Sequence, residues 1–216
     1  QLAMIMAMES PARFSAEFVR DEELKVLRAI KPMAGADFAR DTIRGQYAGY
    51  REAEGVALGS RTATFAILKL HIENWRWAGG PFSLVTGKRL AQRTTEVVVS
   101  FKPVSHWIFD RPPNGGAVPN RLLMQLQPEE HIGLGLMGSL AAPEWGATEL
   151  QPLSLNLSMV APQRRIAYER LLLDALHGNQ ALFVTGEEVE AAWSWIDSIS
   201  EAWQTATVPA QAYPAG

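Results

Sequence analysis

Lys88, Arg89 and Arg93 lie within one short stretch and form the most concentrated group of cations in the chain. A lysine offers a point charge to several oxygens at once. An arginine offers a planar fork that fits an oxyanion. Together they suit an anionic ligand, although charged loop residues are more commonly just solvated. Read from the residues alone, they form a solvated loop cluster. Thr86-Gly87-Lys88-Arg89 superficially matches the end of a phosphate-binding P-loop. That motif requires glycine where Phe82 stands and Ser or Thr where Arg89 stands, so a Walker loop is excluded.

Other motifs fail for want of context. Gly133-Leu134-Gly135-Leu136-Met137-Gly138 spells G-x-G-x-x-G. A dinucleotide fingerprint needs a helix after it and an acid about 20 residues on. Pro143 and Gly146 interrupt any such helix, and the region of Leu155 and Ser158 carries no acid. These glycines read instead as small residues on a strand. The histidines, His71, His106, His131 and His177, fall on separate elements and share no metal-ligand spacing. Ser83 and Ser139 lie in no G-x-S-x-G elbow. Trp193 and Trp203 sit on a helical stripe, and Trp75 and Trp77 close a strand, so all four read as structural.

Bulk properties narrow the function classes. The 216 residues are 47% hydrophobic and 20% charged, enough for a sizeable core. The net charge of −3 provides no basic stripe for nucleic acid and none for an anionic membrane surface. No apolar run reaches membrane-spanning length. There is no cysteine, which removes thiol nucleophiles, disulfides and cysteine-bound metal, and fits a cytoplasmic, reducing setting. The N-terminal run Gln1-Leu2-Ala3-Met4-Ile5-Met6-Ala7-Met8-Glu9 lacks the basic start of a signal peptide and reads as the tail of a helix that begins earlier.

The elements that must position these residues follow from periodicity. Residues 1–30 read as helical, with an acidic-to-basic gradient from Asp21 to Arg28, and Pro32 as the stop. Residues 31–60 read as a Gly- and charge-rich connection. From residue 62 the period becomes two. Strands are expected around Thr64 to Ile72, Thr95 to Phe101, Leu122 to Leu126, Ile132 to Leu136 and Leu153 to Leu157, with a turn cluster at 111–116. Helical period returns over 166–176, with Gly178 as its C-cap. A second helix opens on the capping box Thr185-Gly186-Glu187-Glu188 and carries an apolar stripe of Val189, Ala192, Trp193, Ile196 and Trp203. The tail 207–216 reads as irregular. Successive strands without intervening helices predict an α+β fold: one large, mostly antiparallel β-sheet with helices packed on one face.

Residues 62–101 resemble glucose-6-phosphate dehydrogenases. The matching stretches are Thr62-Ala63-Thr64-Phe65-Ala66, Ile72-Glu73-Asn74-Trp75-Arg76-Trp77-Ala78-Gly79, and the Pro-Phe…Thr/Ser-Gly-Lys segment Pro81-Phe82-Ser83-Leu84-Val85-Thr86-Gly87-Lys88-Arg89-Leu90. Further matches occur in the same order. They are Met8-Glu9-x-Pro11, Arg20-Asp21-Glu22, Gly45-Gln46-Tyr47, Gln127-Pro128, and Ala167-Tyr168-Glu169-Arg170-Leu171 with Asp174, Gly178, Gln180 and Phe183. Each piece is short, but the ordered set is specific and runs the length of the chain.

The resemblance implies that residues 1–216 are a bacterial-type C-terminal domain for substrate binding and oligomerisation. It implies a nucleotide-binding Rossmann domain before Gln1 and a further segment after Gly216, so that the chain alone is expected to be inactive. It implies oxidation of C1 of glucose 6-phosphate to the lactone with reduction of NADP, held by the preceding domain. The family's catalytic histidine falls before Gln1, so no catalytic residue is expected here. By the same resemblance, Lys88 and Arg93 reach the sugar phosphate and Gln127 meets a sugar hydroxyl. Thr94, Val98, Gln125, Gly133 and Gly135 stand where some members carry basic and tyrosine residues for a second, structural NADP, and none suits that role. A homodimer or tetramer through the sheet is implied, and neither nucleic acid nor membrane as a partner. Two alternatives stay open from sequence: a stand-alone, non-catalytic sugar-phosphate-binding or interaction module, and a two-domain oxidoreductase of the same plan acting on another phosphorylated substrate.

Overall fold

The computed structural model describes residues 1–103, 106, 119–139, 150–158, 167–180, 183–206 and 210–216. The chain forms two compact units, one of residues 1–91 and 165–216, the other of residues 92–164. The turn cluster expected at 111–116 lies outside the described residues.

The first unit opens with helices α1 (Leu2–Ala7) and α2 (Ala16–Arg28), followed by the short α3 (Asp37–Asp41). The single helical stretch expected over residues 1–30 is thus two helices. Pro11 sits in the break, and Ser15 in extended conformation precedes α2. Strands β1 (Thr42–Tyr47), β2 (Phe65–His71) and β3 (Pro81–Gly87) follow. Helices α4 (Ala167–Leu176) and α5 (Gly186–Thr205) and the short strand β8 (Gln211–Tyr213) complete the unit. Its sheet has the order β3-β2-β1-β8. β1, β2 and β3 pair antiparallel, and β8 runs parallel to β1.

Alternation along β2 turns Leu68, Leu70 and Ile72 to one face, where the helices cover them. Met4 and Ala7 of α1 and Val26 of α2, with Ile30 just beyond it, pack on Leu70 and Ile72. Ile199 of α5 packs with Met33 and Leu68. Burial of each such aliphatic side chain contributes about 1.5–3 kcal/mol. Three tryptophans fill the rim of this core and satisfy their indole N–H groups. Trp77 donates to the Ala7 carbonyl at 2.8 Å, Trp195 to that of Lys31 at 3.2 Å, and Trp203 to the Thr42 hydroxyl at 2.9 Å. The expected stripe on α5 is therefore rotated: Trp195, Ile196, Ile199 and Trp203 face the core, whereas Val189 and Trp193 are exposed. Trp75, also expected to be structural, is fully exposed.

The region expected to be a plain connection holds β1, whose inward side chains are polar. Arg44 is buried and donates to the Trp203 carbonyl at the end of α5. Arg61 donates to the Gln204 carbonyl at 2.9 Å and to that of Ala206. Two cations thus occupy the orphan carbonyls at the negative end of the helix. Gln46 donates to the carbonyls of Ser60 and Thr62 at 3.2 and 3.1 Å. The tail expected to be irregular contains β8, with Tyr213 half-buried at its end.

The second unit is an antiparallel meander of β4 (Thr95–Ser100), β5 (Arg121–Gln127), β6 (His131–Ser139) and β7 (Leu150–Ser158), in that order. The α+β class and the predominance of antiparallel pairing agree with expectation, while the strands divide into two four-stranded sheets. Register gathers Val97, Val99, Leu122, Met124, Ile132, Leu134, Leu153, Leu155 and Leu157 on one face. The opposite face carries Glu96, Arg121, Gln125, His131, Gly133, Gly135, Ser154 and Asn156, with Val98 and Leu123 among them.

The start of α5 carries the capping box read from sequence. Thr185 accepts from the Glu188 amide at 3.2 Å, and Glu188 accepts from the Thr185 amide at 2.6 Å. A cap of this kind contributes about 1 kcal/mol. Glu188, 4% exposed, also meets Glu23 of α2, 5% exposed. Burial, reinforced by the hydrogen bond to Glu188 and its charge, pushes the Glu23 carboxyl up to about 7. Its value in the unfolded chain is lower, so the stability it contributes is fully present in acid and is lost as pH rises through about 7. The thermal midpoint of the first unit is expected to fall between about pH 4.5 and pH 7 and to level off above, and Glu23→Gln to flatten that fall. Circular-dichroism melts across this range check it, and an equally steep fall in the variant would contradict it.

Candidate functional site

The three residues expected to hold substrate occupy different elements. Lys88 follows directly on β3 in the first unit. Arg93 precedes β4 and Gln127 ends β5, both in the second unit. Lys88 and Arg93 are exposed, and neither side chain has a hydrogen-bond or ionic partner among the described residues. Thr95 and Gln127 pair across β4 and β5. The Thr95 hydroxyl donates to Gln127 Oε1 at 3.3 Å, which leaves the Gln127 amide N–H groups as donors for a ligand hydroxyl. The structure thus brings Gln127 alongside the strand that Arg93 leads into.

The Lys88 turn is held by its backbone. Its amide donates to the Thr64 carbonyl at 2.8 Å, and its carbonyl accepts from the Tyr213 hydroxyl at 2.8 Å. Arg89 adopts the left-handed conformation, with φ of 48°, and its carbonyl accepts from the Gly216 amide at 3.0 Å. The Arg89 guanidinium lies over the Tyr47 ring, 5.3 Å from its centre. The Tyr213 ring meets Phe65 at 5.7 Å and Tyr47 at 6.3 Å between centres. Two glycines leave space for this cluster. A Cβ on Gly87 would stand 2.8 Å from the Phe65 ring, and one on Gly45 3.2 Å from Phe65, Tyr213 and the Gln211 carbonyl. Sequence reasoning singled out Lys88 but not the backing that Thr64 and Tyr213 give its turn. The only signal for Tyr213 was an aromatic residue in a tail of alanine and proline.

Gly133, Gly135 and Gly138 of the G-x-G-x-x-G run lie within β6, between β5 and β7. Their setting is a strand ladder, not the strand-to-helix turn that receives a nucleotide phosphate. Gln125 donates to the Glu129 carbonyl at 3.2 Å. The four histidines lie apart in the chain, and no cluster of three or more metal-binding side chains occurs among the described residues. No helix among the described residues is long and apolar enough to cross a membrane.

A family model described as glucose-6-phosphate dehydrogenase, C-terminal domain, matches residues 1–216. The chain belongs to this family. Glucose-6-phosphate 1-dehydrogenase of Rhizobium meliloti strain 1021 is 44% identical over 228 residues, covering 100% of this chain and 46% of the relative. The Mycolicibacterium smegmatis enzyme of the same name is 44% identical over 230 residues, with 100% and 45% covered. The chain therefore spans a little under half the length of these relatives. A solved glucose-6-phosphate dehydrogenase in complex with its substrate glucose 6-phosphate superposes with a TM-score of 0.85 at 29% identity, covering 100% of this chain and 45% of that one. The Mycobacterium avium glucose-6-phosphate 1-dehydrogenase superposes at 0.81 and 29% identity, with 100% and 44% covered.

The close approach at Gly45 yields a test within this domain of the glucose-6-phosphate dehydrogenase family. Replacing glycine by alanine in a strand normally helps slightly by restricting the unfolded chain. Here the new methyl group meets a carbonyl oxygen and a Cβ that cannot swing away. Gly45→Ala is expected to cost roughly 1–3 kcal/mol. It should also speed hydrogen exchange at the Ala48 amide, which is bonded to the Tyr213 carbonyl at 2.9 Å. Urea titration and exchange measurements check both.

Proposed function

We propose that the protein takes part in the oxidation of C1 of glucose 6-phosphate to 6-phosphogluconolactone, and that residues 1–216 supply the phosphate-binding and oligomerising part of that enzyme. The observation that carries this reading is the whole-length family match, set beside a lysine whose backbone is fixed while its ammonium is unpaired among the described residues. In this reading Lys88 and Arg93 neutralise the phosphate, and Gln127 donates to a sugar hydroxyl. The nicotinamide of NADP accepts the hydride in this reaction. The glycine run of this chain does not suit NADP, so the nucleotide and the general base are assigned to sequence outside residues 1–216. The positions considered for a second, structural NADP are likewise assigned no nucleotide. The reaction is assigned to the cytoplasm, in keeping with a chain without cysteine.

A protein titration with glucose 6-phosphate, followed by amide shifts, tests the assignment. Saturable shifts are expected at Lys88, Arg93 and Gln127. They should be lost or weakened at least tenfold in Lys88→Ala, a loss of about 1.4 kcal/mol or more. No shifts at about 10 mM ligand, or undiminished binding by Lys88→Ala, would contradict it.

The second sheet supports the oligomer. Its apolar face reaches edge strand β7, where Leu155 and Leu157 are 56% and 67% exposed. We assign this face to a second copy of the chain, as a homodimer or a tetramer built from it. Sedimentation equilibrium should give a dimer or larger assembly at about 10 µM. The double variant Leu155→Asp, Leu157→Asp should give monomers with unchanged circular dichroism.

A further inference from the structure

We propose that Tyr213 is a positioning residue for the phosphate of the substrate: its hydroxyl fixes the turn from which Lys88 reaches the ligand. The inference rests on the assignment of Lys88 to a phosphate monoester and names the group that makes the lysine effective. Tyr213 touches no reacting atom and acts through the Lys88 backbone.

Proton accounting gives the direction. The Tyr47 amide donates to the Thr64 hydroxyl at 2.9 Å, so that hydroxyl is already an acceptor. Its own proton is free to go to the Tyr213 oxygen, also 2.9 Å away. The single Tyr213 proton then has two acceptors, the Lys88 carbonyl at 2.8 Å and the Thr64 carbonyl at 3.1 Å. The shorter contact wins, and a relay runs from the Tyr47 amide through both hydroxyls to Lys88, each bond polarising the next. Thr64 is buried, which strengthens the chain of bonds. The Thr64 carbonyl is also the acceptor for the Lys88 amide, so both backbone groups of Lys88 are held.

A second, independent feature points to the same turn. Arg89 is the one non-glycine residue at positive φ among the described residues. That conformation is costly for a residue with a Cβ and persists only where neighbours enforce it. Here the Gly216 amide and the Tyr47 ring enforce it. A turn held in this way serves a flexible lysine well. The lysine stem loses rotamer freedom on binding, and a fixed Cα removes the further cost of ordering the backbone at that moment.

Tyr213→Phe keeps the ring against Phe65 and Tyr47 and removes only the hydroxyl. The 216-residue protein is titrated with glucose 6-phosphate, and amide exchange is followed in the free state. For the variant, a dissociation constant raised about three- to tenfold is expected. Exchange should be faster at Lys88 but unchanged at Ala48, whose amide reports that β8 remains paired. Unchanged affinity with wild-type binding intact overturns the inference alone. Absence of saturable binding by the wild-type protein overturns the phosphate assignment and this inference with it. Should the variant release β8, the wild-type protein still decides. Slow Lys88 exchange without ligand is required by a pre-set turn, and exchange at the rate of an open chain overturns it.

Discussion

The docking of α5 across the sheet is the interaction on which the first unit depends. Ile199 is among the most fully buried side chains and sits over Leu68 and Met33. Trp195 and Trp203 flank it and tie α5 to Lys31 and Thr42 through their indole N–H groups. Arginines hold both ends of this stretch. Arg20 reaches the carbonyls of Gln180 and Phe183 just before α5, and Arg28 pairs with Glu187 in its first turn. Arg44 and Arg61 take the terminal carbonyls. The ends of the chain thus close on one core, and β8, which follows α5, is delivered beside β1.

That delivery shapes the candidate site. β8 brings Tyr213 to the Gly87 end of β3, where its ring fills space that Gly45 leaves open. Its hydroxyl meets the backbone of the residue whose ammonium is unpaired among the described residues. A lysine on a mobile loop would have to be ordered by its ligand. One whose amide and carbonyl are already bonded needs only its side chain ordered. The charge comes from one residue and the rigidity from the far end of the chain.

The second unit follows a simpler rule. Its meander sorts side chains by parity, with an almost wholly aliphatic set on one face and a mixed set on the other, where Val98 and Leu123 stand among small and polar residues. Gly133 and Gly135 fall on the mixed face by that parity, so the fingerprint-like spacing lies within a ladder strand. Three glycines at alternating or nearby positions satisfy the letters of the motif, but phosphate binding needs the turn and helix N-terminus that a ladder strand lacks.

The sequence by itself determined the elements whose stabilising contacts are local or periodic. The strands β2 and β4–β7 follow from period-two alternation, and the start of α5 from a capping box that closes within one turn. The order of short motifs placed Lys88, Arg93 and Gln127 as candidates, because those motifs are contiguous in the chain. Only the tertiary structure decided β1, β8, the rotation of α5 and the division into two sheets. Arg44 and Gln46 are polar residues on inward positions, so β1 does not alternate in hydropathy. They become buried because distant carbonyls at the end of α5 and in the loop carrying Ser60 and Thr62 accept their protons. Trp193 and Trp195 are equally apolar in sequence. Which of them is covered depends on where α5 meets Lys31 and Leu68, a contact between residues remote in the chain. β8 is too short to show a period, and its pairing energy comes from β1 and from the ring cluster around Tyr213. Partners distant in sequence leave no local pattern, and these elements exist through such partners alone.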